Sequence, residues 1–140
     1  MSRGSATACL DGQTTGMALS VLSEIGTLLE RLARHGEENA IDLRSLPLTE
    51  ADRAQLEQLL GRGEVRAELD VSGETAVWET AYPGAWWIRH RGAGGRIASE
   101  EIAVCRIPEI LVTHPVDIEA AAARIRDELE TTHERQENPG

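Results

Sequence analysis

All four aromatic side chains of this 140-residue chain, Trp78, Tyr82, Trp86 and Trp87, fall within one stretch that reads WETAYPGAWWIRH, and the chain contains no phenylalanine. Aromatic side chains carry the largest burial energies available to a core or an interface. Whatever this chain folds into must therefore organise itself around Trp78 to His90. The adjacent pair Trp86-Trp87 adds a geometric constraint, because successive residues of a strand point to opposite faces of a sheet. On a strand covered on one face only, one of these rings enters the core and the other does not.

The surrounding pattern makes the strand reading the natural one. From Glu64, the residues Val65, Ala67, Leu69 and Val71 alternate with Glu64, Arg66, Glu68 and Asp70, and Ser72-Gly73 follows as a turn signal. Thr75–Ala81 is a second β-rich run, Tyr82-Pro83-Gly84 breaks it, and Ala85–Arg91 is a third before the loop GAGG. Ile97–Ile107 is a fourth, in which Ile102 and Val104 alternate with Glu101 and Ala103, and Pro108 stops it. Strands in succession with short connections imply an antiparallel meander.

Helical spacing appears on both sides of this block. Ala18, Leu22, Ile25, Leu29 and Leu32, widened by Val21 and Leu28, give one apolar stripe over Met17–His35, with Gly36 as a stop. Gly26 inside it is either a close helix contact or a tolerated weak spot costing about 1 kcal/mol. Ile41 and Leu43 alternate with Asp42 and Arg44 as a short strand ended by Pro47. Thr49, with Asp52 three residues on, forms an acidic variant of the capping box and opens a second helix over Glu50–Leu60, with Leu56, Leu59 and Leu60 inward. Pro115 opens a third helix reaching Glu130, with Ile118, Ala121, Ala122, Ile125 and Leu129 as its stripe. The expected fold is α+β: an antiparallel sheet of four strands, five with the short Ile41 strand, and three helices packed mainly on one face. Residues 1–13 form a disordered leader, 14–130 a single domain, and 131–140 a disordered tail.

Composition narrows function by exclusion. The formal charge is −10, from 24 acidic and 14 basic residues, and an acidic surface repels phosphate backbones and anionic lipid, so neither nucleic acid nor membrane is an expected partner. Every basic residue is arginine, which excludes a Schiff-base or P-loop lysine. Cys9 and Cys105 lie in no CxxC or CxxH arrangement. The leader lacks the basic and apolar regions of a signal peptide, and no apolar run approaches a membrane span, so the expected location is cytoplasmic with reduced thiols. His35, His90, His114 and His133 have no i, i+4 histidine partners, and no catalytic motif is present, so we expect no enzyme activity, cofactor or metal. The one chemical alternative is a small redox or metal-handling protein using Cys105 with His90 or His114.

On the third strand, Trp86, Ile88 and His90 share one side, and Trp87, Arg89 and Arg91 the other. The arginines place Trp86 inward and Trp87 outward, whereas the parity of Trp78 and Tyr82 stays open. Trp and Arg together are the composition of binding hot spots, so Trp78, Tyr82, Trp87, Arg89 and Arg91 form the candidate partner-binding set. The competing reading has Trp87 covered by arginine stems, with Arg89 paired across the sheet to Glu101.

The runs IDLRSLPLTEADRAQLEQLLGRGEV, ETAYPGAWWIRHR and EIAVCRIPEILVTHPVDIEAAAARI resemble the C-terminal conserved region of the HupH/HyaF group of hydrogenase expression and formation proteins. With no additional N-terminal domain, the chain is most similar to short HupJ/HoxT-type members. The resemblance implies a non-catalytic, chaperone-like accessory protein for the maturation of an uptake [NiFe]-hydrogenase. Its partner would be a hydrogenase subunit precursor, the small iron–sulfur subunit foremost, or another maturation factor; a homodimer is the further assembly this reading admits.

Overall fold

The computed structural model describes residues 12–70 and 73–137, so residues 1–11 of the expected leader, Cys9 among them, and Ser72 of the expected Ser72-Gly73 turn lie outside the described residues. The chain divides into two compact units, Met1–Arg106 and Ile107–Gly140.

In the first unit, α1 (Met17–His35) and α2 (Glu50–Leu60) have the bounds that their caps predict. Gly36 ends α1 in the left-handed conformation at φ 68°, donating its N–H to the Leu32 carbonyl, the backbone state only glycine adopts without strain. Thr49 and Asp52 form the complete capping box of α2. Asp52 does more than cap. It is fully buried, and its carboxylate also accepts from the Thr15 N–H and Thr15 Oγ1, both at 2.7 Å. One side chain thus joins the approach to α1 to the start of α2. Burial works against its charge, but the hydrogen bonds from Thr15 and Thr49 outweigh that and lower its pKa.

The sheet is five-stranded and fully antiparallel, in the order β1-β5-β4-β3-β2. Its strands are β1 (Asn39–Asp42), β2 (Arg66–Asp70), β3 (Glu74–Glu79), β4 (Ala85–Arg91) and β5 (Ile97–Val104). Three strands end earlier than their pattern suggests, β3 at Glu79 rather than Ala81. Leu43–Ser45 folds as a 3-10 turn because the Asp42 carboxylate accepts from the Arg44 N–H at 3.0 Å, which draws the backbone out of the ladder. β5 stops at Val104 rather than Ile107.

Ala18, Val21, Ile25 and Leu28 of α1, with Leu56 and Leu60 of α2, pack in one cluster with Trp78, Ala85, Trp87, Ile102 and Val104 of the sheet. The helices therefore cover the face that carries Trp87, not the face that carries Trp86. Leu59, expected inward, is exposed. A Cβ built on Gly26 meets nothing within 4 Å, so this glycine marks no close helix contact. A Cβ on Gly84 would lie 3.1 Å from Leu29 and 3.4 Å from Leu32, and Gly84 has φ 97°. The YPG turn needs glycine both for its backbone angle and to let α1 sit against it.

The second unit consists of a 3-10 turn, Glu109–Leu111, and α3 (Pro115–Glu137). α3 runs seven residues beyond the expected Glu130, and none of its residues is buried. Three helices and an antiparallel sheet make this the expected α+β fold.

Candidate functional site

The sheet register builds the site row by row on the helix-covered face. In the first row Arg66, Trp78, Trp87 and Ile102 are neighbours across β2, β3, β4 and β5. The second row is Glu68, Ala76, Arg89 and Glu100, and the third contains Asp70, Glu74 and Arg91. The helices seal the β4–β5 side of these rows. On the β2–β3 side a cleft of about 510 Å³ remains, lined by Arg62, Arg66, Trp78, Arg89 and Arg91 and by Glu68, Asp70 and Glu74.

Trp78 forms the aromatic floor. Its ring stacks on that of Trp87 with centroids 5.7 Å apart and planes 7° from parallel. The Arg62 guanidinium lies 4.3 Å from the Trp78 centroid, with those of Arg89 and Arg66 at 5.2 and 5.8 Å. Each is within the range at which the ring quadrupole attracts a cation. Although it lines the cleft, Trp78 is only 2% exposed: its shield from water includes arginine side chains. Two of them are loosely held, since the side chains of Arg62 and Arg66 are 47% and 50% exposed. The indole N–H of Trp78 is buried and has no acceptor among the described residues.

Glu100 organises the closed side. Its side chain is fully buried and accepts from Trp87 Nε1 at 3.0 Å and from Arg89 Nε at 2.6 Å. Arg53 Nε approaches its other oxygen at 3.0 Å, too poorly aligned for a hydrogen bond but close enough for an ion pair. Arg89 also reaches Glu57 at 3.0 Å, and Glu57 receives Arg62 at 3.2 Å. Burial disfavours the Arg89 charge, yet Glu100 and then Glu57 overcome this and raise its pKa. A buried carboxylate is tolerable only when surrounded by donors in this way.

The expected binding set is thus divided. Trp78, Arg89 and Arg91 meet at the cleft, where Arg91 donates to the Gly95 carbonyl at 2.9 Å. Trp87 is fully buried, which overturns its outward placement; the arginines on its face mark the end of the helix cover rather than solvent. Trp86 is buried as well, 6% exposed on the opposite face, where its N–H donates to the Cys105 carbonyl. The expectation that only one of the two rings is enclosed therefore fails. Tyr82 is 49% exposed at the hairpin turn, away from the cleft lining. Arg89 pairs with Glu100, not Glu101. Arg62, Arg66, Glu57 and Glu100 complete the arrangement, and only the strand register, which puts Arg66 opposite Trp78 and Glu100 opposite Arg89, identifies them.

Cys105 is buried and unpaired. Burial, and then Glu38 and Glu101, push its thiol up to about 11, the reverse of the depression that activates a thiolate. Among the described residues no group of three or more His, Cys, Asp or Glu side chains is placed to hold a metal ion. Thr75 Oγ1 and His90 Nδ1 lie 2.6 Å apart as a cross-strand pair.

Fold and cleft together define a small α+β module presenting an aromatic floor under arginine side chains. The chain belongs to the family of the HupH hydrogenase expression protein, C-terminal conserved region, which matches residues 16–132. It is 30% identical over 105 residues to hydrogenase expression/formation protein HoxQ of Azotobacter vinelandii, covering 71% of this chain and 37% of that protein. With hydrogenase expression/formation protein HupH of Rhodobacter capsulatus it shares 31% identity over 108 residues, 76% of this chain and 39% of the other. The chain therefore spans well under half the length of these relatives. A solved structure, hydrogenase expression protein HupH from Thiobacillus denitrificans, superposes with a TM-score of 0.82 at 39% identity, over 85% of this chain and 99% of that one.

Proposed function

We propose that this protein acts in the cytoplasm as a non-catalytic accessory protein in hydrogenase maturation. It binds a subunit precursor of an uptake [NiFe]-hydrogenase, the small iron–sulfur subunit foremost, or a companion maturation factor. The relatives' names as hydrogenase expression/formation proteins support the process. One observation carries the mode of action: the cleft in which Trp78 lies beneath Arg62, Arg66 and Arg89. Trp and Arg are the residues that dominate the energetics of protein interfaces. Loosely held arginines over a buried ring can be displaced by a partner, adding desolvated aromatic area to the interface. No helix among the described residues is long and apolar enough to cross a membrane.

The test is co-purification of the protein with each tagged hydrogenase precursor in turn. Reversing charge at both exposed arginines, Arg62→Glu with Arg66→Glu, should remove the bound precursor while leaving the unfolding curve close to that of the parent. Retention of the precursor by the double variant would overturn the assignment of the cleft. A deletion strain with normal mature hydrogenase under all growth conditions would overturn the function itself.

A further inference from the structure

β2 closes the sheet order β1-β5-β4-β3-β2, so one side of its backbone meets no other strand. The register fixes which groups lie on that side. Glu79 donates its N–H to the Val65 carbonyl at 2.9 Å, and this pair continues the ladder in which Arg66 faces Trp78. Residues that exchange hydrogen bonds alternate with those that do not in an antiparallel pair, so Ala67 and Leu69 turn their backbone groups to β3. The N–H and C=O groups of Arg66, Glu68 and Asp70 then point away from β3. Among the described residues no backbone group of a loop or turn bonds to them. The side chains of the same three residues line the cleft, so the open backbone edge and the arginine cleft form one continuous surface.

We infer that an extended segment of the hydrogenase precursor adds to β2 as a further strand, antiparallel like every other pair in the sheet; this rests on the cleft being the surface that binds the precursor. In strand addition the main-chain hydrogen bonds supply affinity, and alternate side chains reaching over a pocket supply specificity. Charge along the edge says what those side chains are. Arg66 has the Arg62 guanidinium beside it over the Trp78 ring, so the residue of the added strand opposite Arg66 is acidic. Opposite Glu68, and opposite Asp70 with its neighbour Glu74, the residues are basic. The added segment therefore reads basic, any, basic, any, acidic from its N-terminal side. The Arg66–Glu68 ion pair, 3.1 Å long, is exposed and costs little to exchange for these contacts. A second copy of β2 is a poorer occupant. Centred on Arg66, Glu68 or Asp70, a two-fold pair would set that charge against its own copy; centred on Ala67 or Leu69, it would bring Glu64 or Glu68 to Asp70 of the partner subunit. Like charges directly opposite are destabilising. The other edge strand, β1, has four residues and contributes none to the cleft.

Glu68→Pro in the full chain tests this. Proline removes the outward N–H and sets its ring in the path of an added strand, while the bonds of Ala67 and Leu69 to β3 remain. The urea unfolding curve should stay close to that of the parent, and the amount of tagged precursor retained should fall about tenfold. Glu68→Ala, which keeps the N–H, should retain most of it. Amide hydrogen exchange gives a second reading that needs no variant. In the free protein the Ala67 and Leu69 amides should be protected and those of Arg66, Glu68 and Asp70 should exchange fast; with the tagged precursor bound, all three should become protected. Retention of the precursor by Glu68→Pro, or a complex without new protection at these three amides, overturns the inference. If Arg62→Glu with Arg66→Glu still loses the precursor, the cleft stands and strand addition alone fails; if that variant also retains it, the cleft reading falls too. Slow exchange of the three amides in the free protein overturns the inference as well, giving the edge to a second copy where the mass in solution is doubled and to the chain itself where it is not.

Discussion

Trp87 and Trp78 are directly opposed on neighbouring strands and stacked on one another, yet they are enclosed by different means. Trp87 lies under the helices, packed with apolar side chains, and its N–H is held by the Glu100 carboxylate. Trp78 belongs to the same cluster, but its cleft side is covered by guanidinium groups and its N–H has no acceptor among the described residues. Both are buried by surface area. Arg89 lies over both rings, 5.7 Å from the Trp87 centroid, but of the two only Trp78 lines the cleft, which shows that burial alone does not separate a structural aromatic from one available for binding.

The largest effect should come from Trp87→Ala, about 3–5 kcal/mol of stability lost for a fully enclosed ring, read from urea unfolding. A loss below 1 kcal/mol would mean that Trp87 is not the centre of the packing. The comparison is sharpened by replacing each ring with phenylalanine. Trp87→Phe strands the Glu100 carboxylate without one of its donors, a cost of about 1.5–3 kcal/mol for a hydrogen bond to a charged group. Trp78→Phe breaks no hydrogen bond and should cost distinctly less. Equal losses would erase the distinction between the two sides.

The helix cover itself can be loosened from Asp52. Its pKa is lowered in the folded state, so its contribution is fully present above the unfolded value of about 3.9 and is lost as pH falls through the folded value. Asp52→Asn should destabilise at neutral pH by about 1–2 kcal/mol, as for loss of a helix cap. The gap between wild type and variant should close on acidification below about pH 4; a gap independent of pH would show that the carboxylate charge is not what joins the two helices. The smallest change is in the other direction. Gly26→Ala fills open space on an exposed helix position and should raise stability by up to about 1 kcal/mol, leaving partner binding at the cleft unchanged.

Local signals were legible without the fold. The α1 and α2 bounds follow from the apolar stripe, the Thr49 and Asp52 box and the glycine stop, each acting within one turn of the chain. β4 was legible too, because the YPG turn and the GAGG loop delimit it. Leu43 was misread because alternation is shared by strands and by turns that a side chain closes, and Asp42 closes this one. The start of α3 was legible from proline at its first position, whereas its end, seven residues beyond Glu130, was not.

The sequence by itself determined where the helices start, which residues alternate on each strand, and that Trp78 to Arg91 would hold the aromatic content of the molecule. Tertiary structure alone decided which side of that segment is inside. Parity sorts residues into two faces but carries no information on which face a helix distant in sequence will cover, and the arginines beside Trp87 pointed the wrong way. Register decided the rest. A buried carboxylate at Glu100 is stable only because β4 brings it two donors, Trp87 and Arg89, and α2 adds the charge of Arg53, three partners that no local stretch of sequence places together.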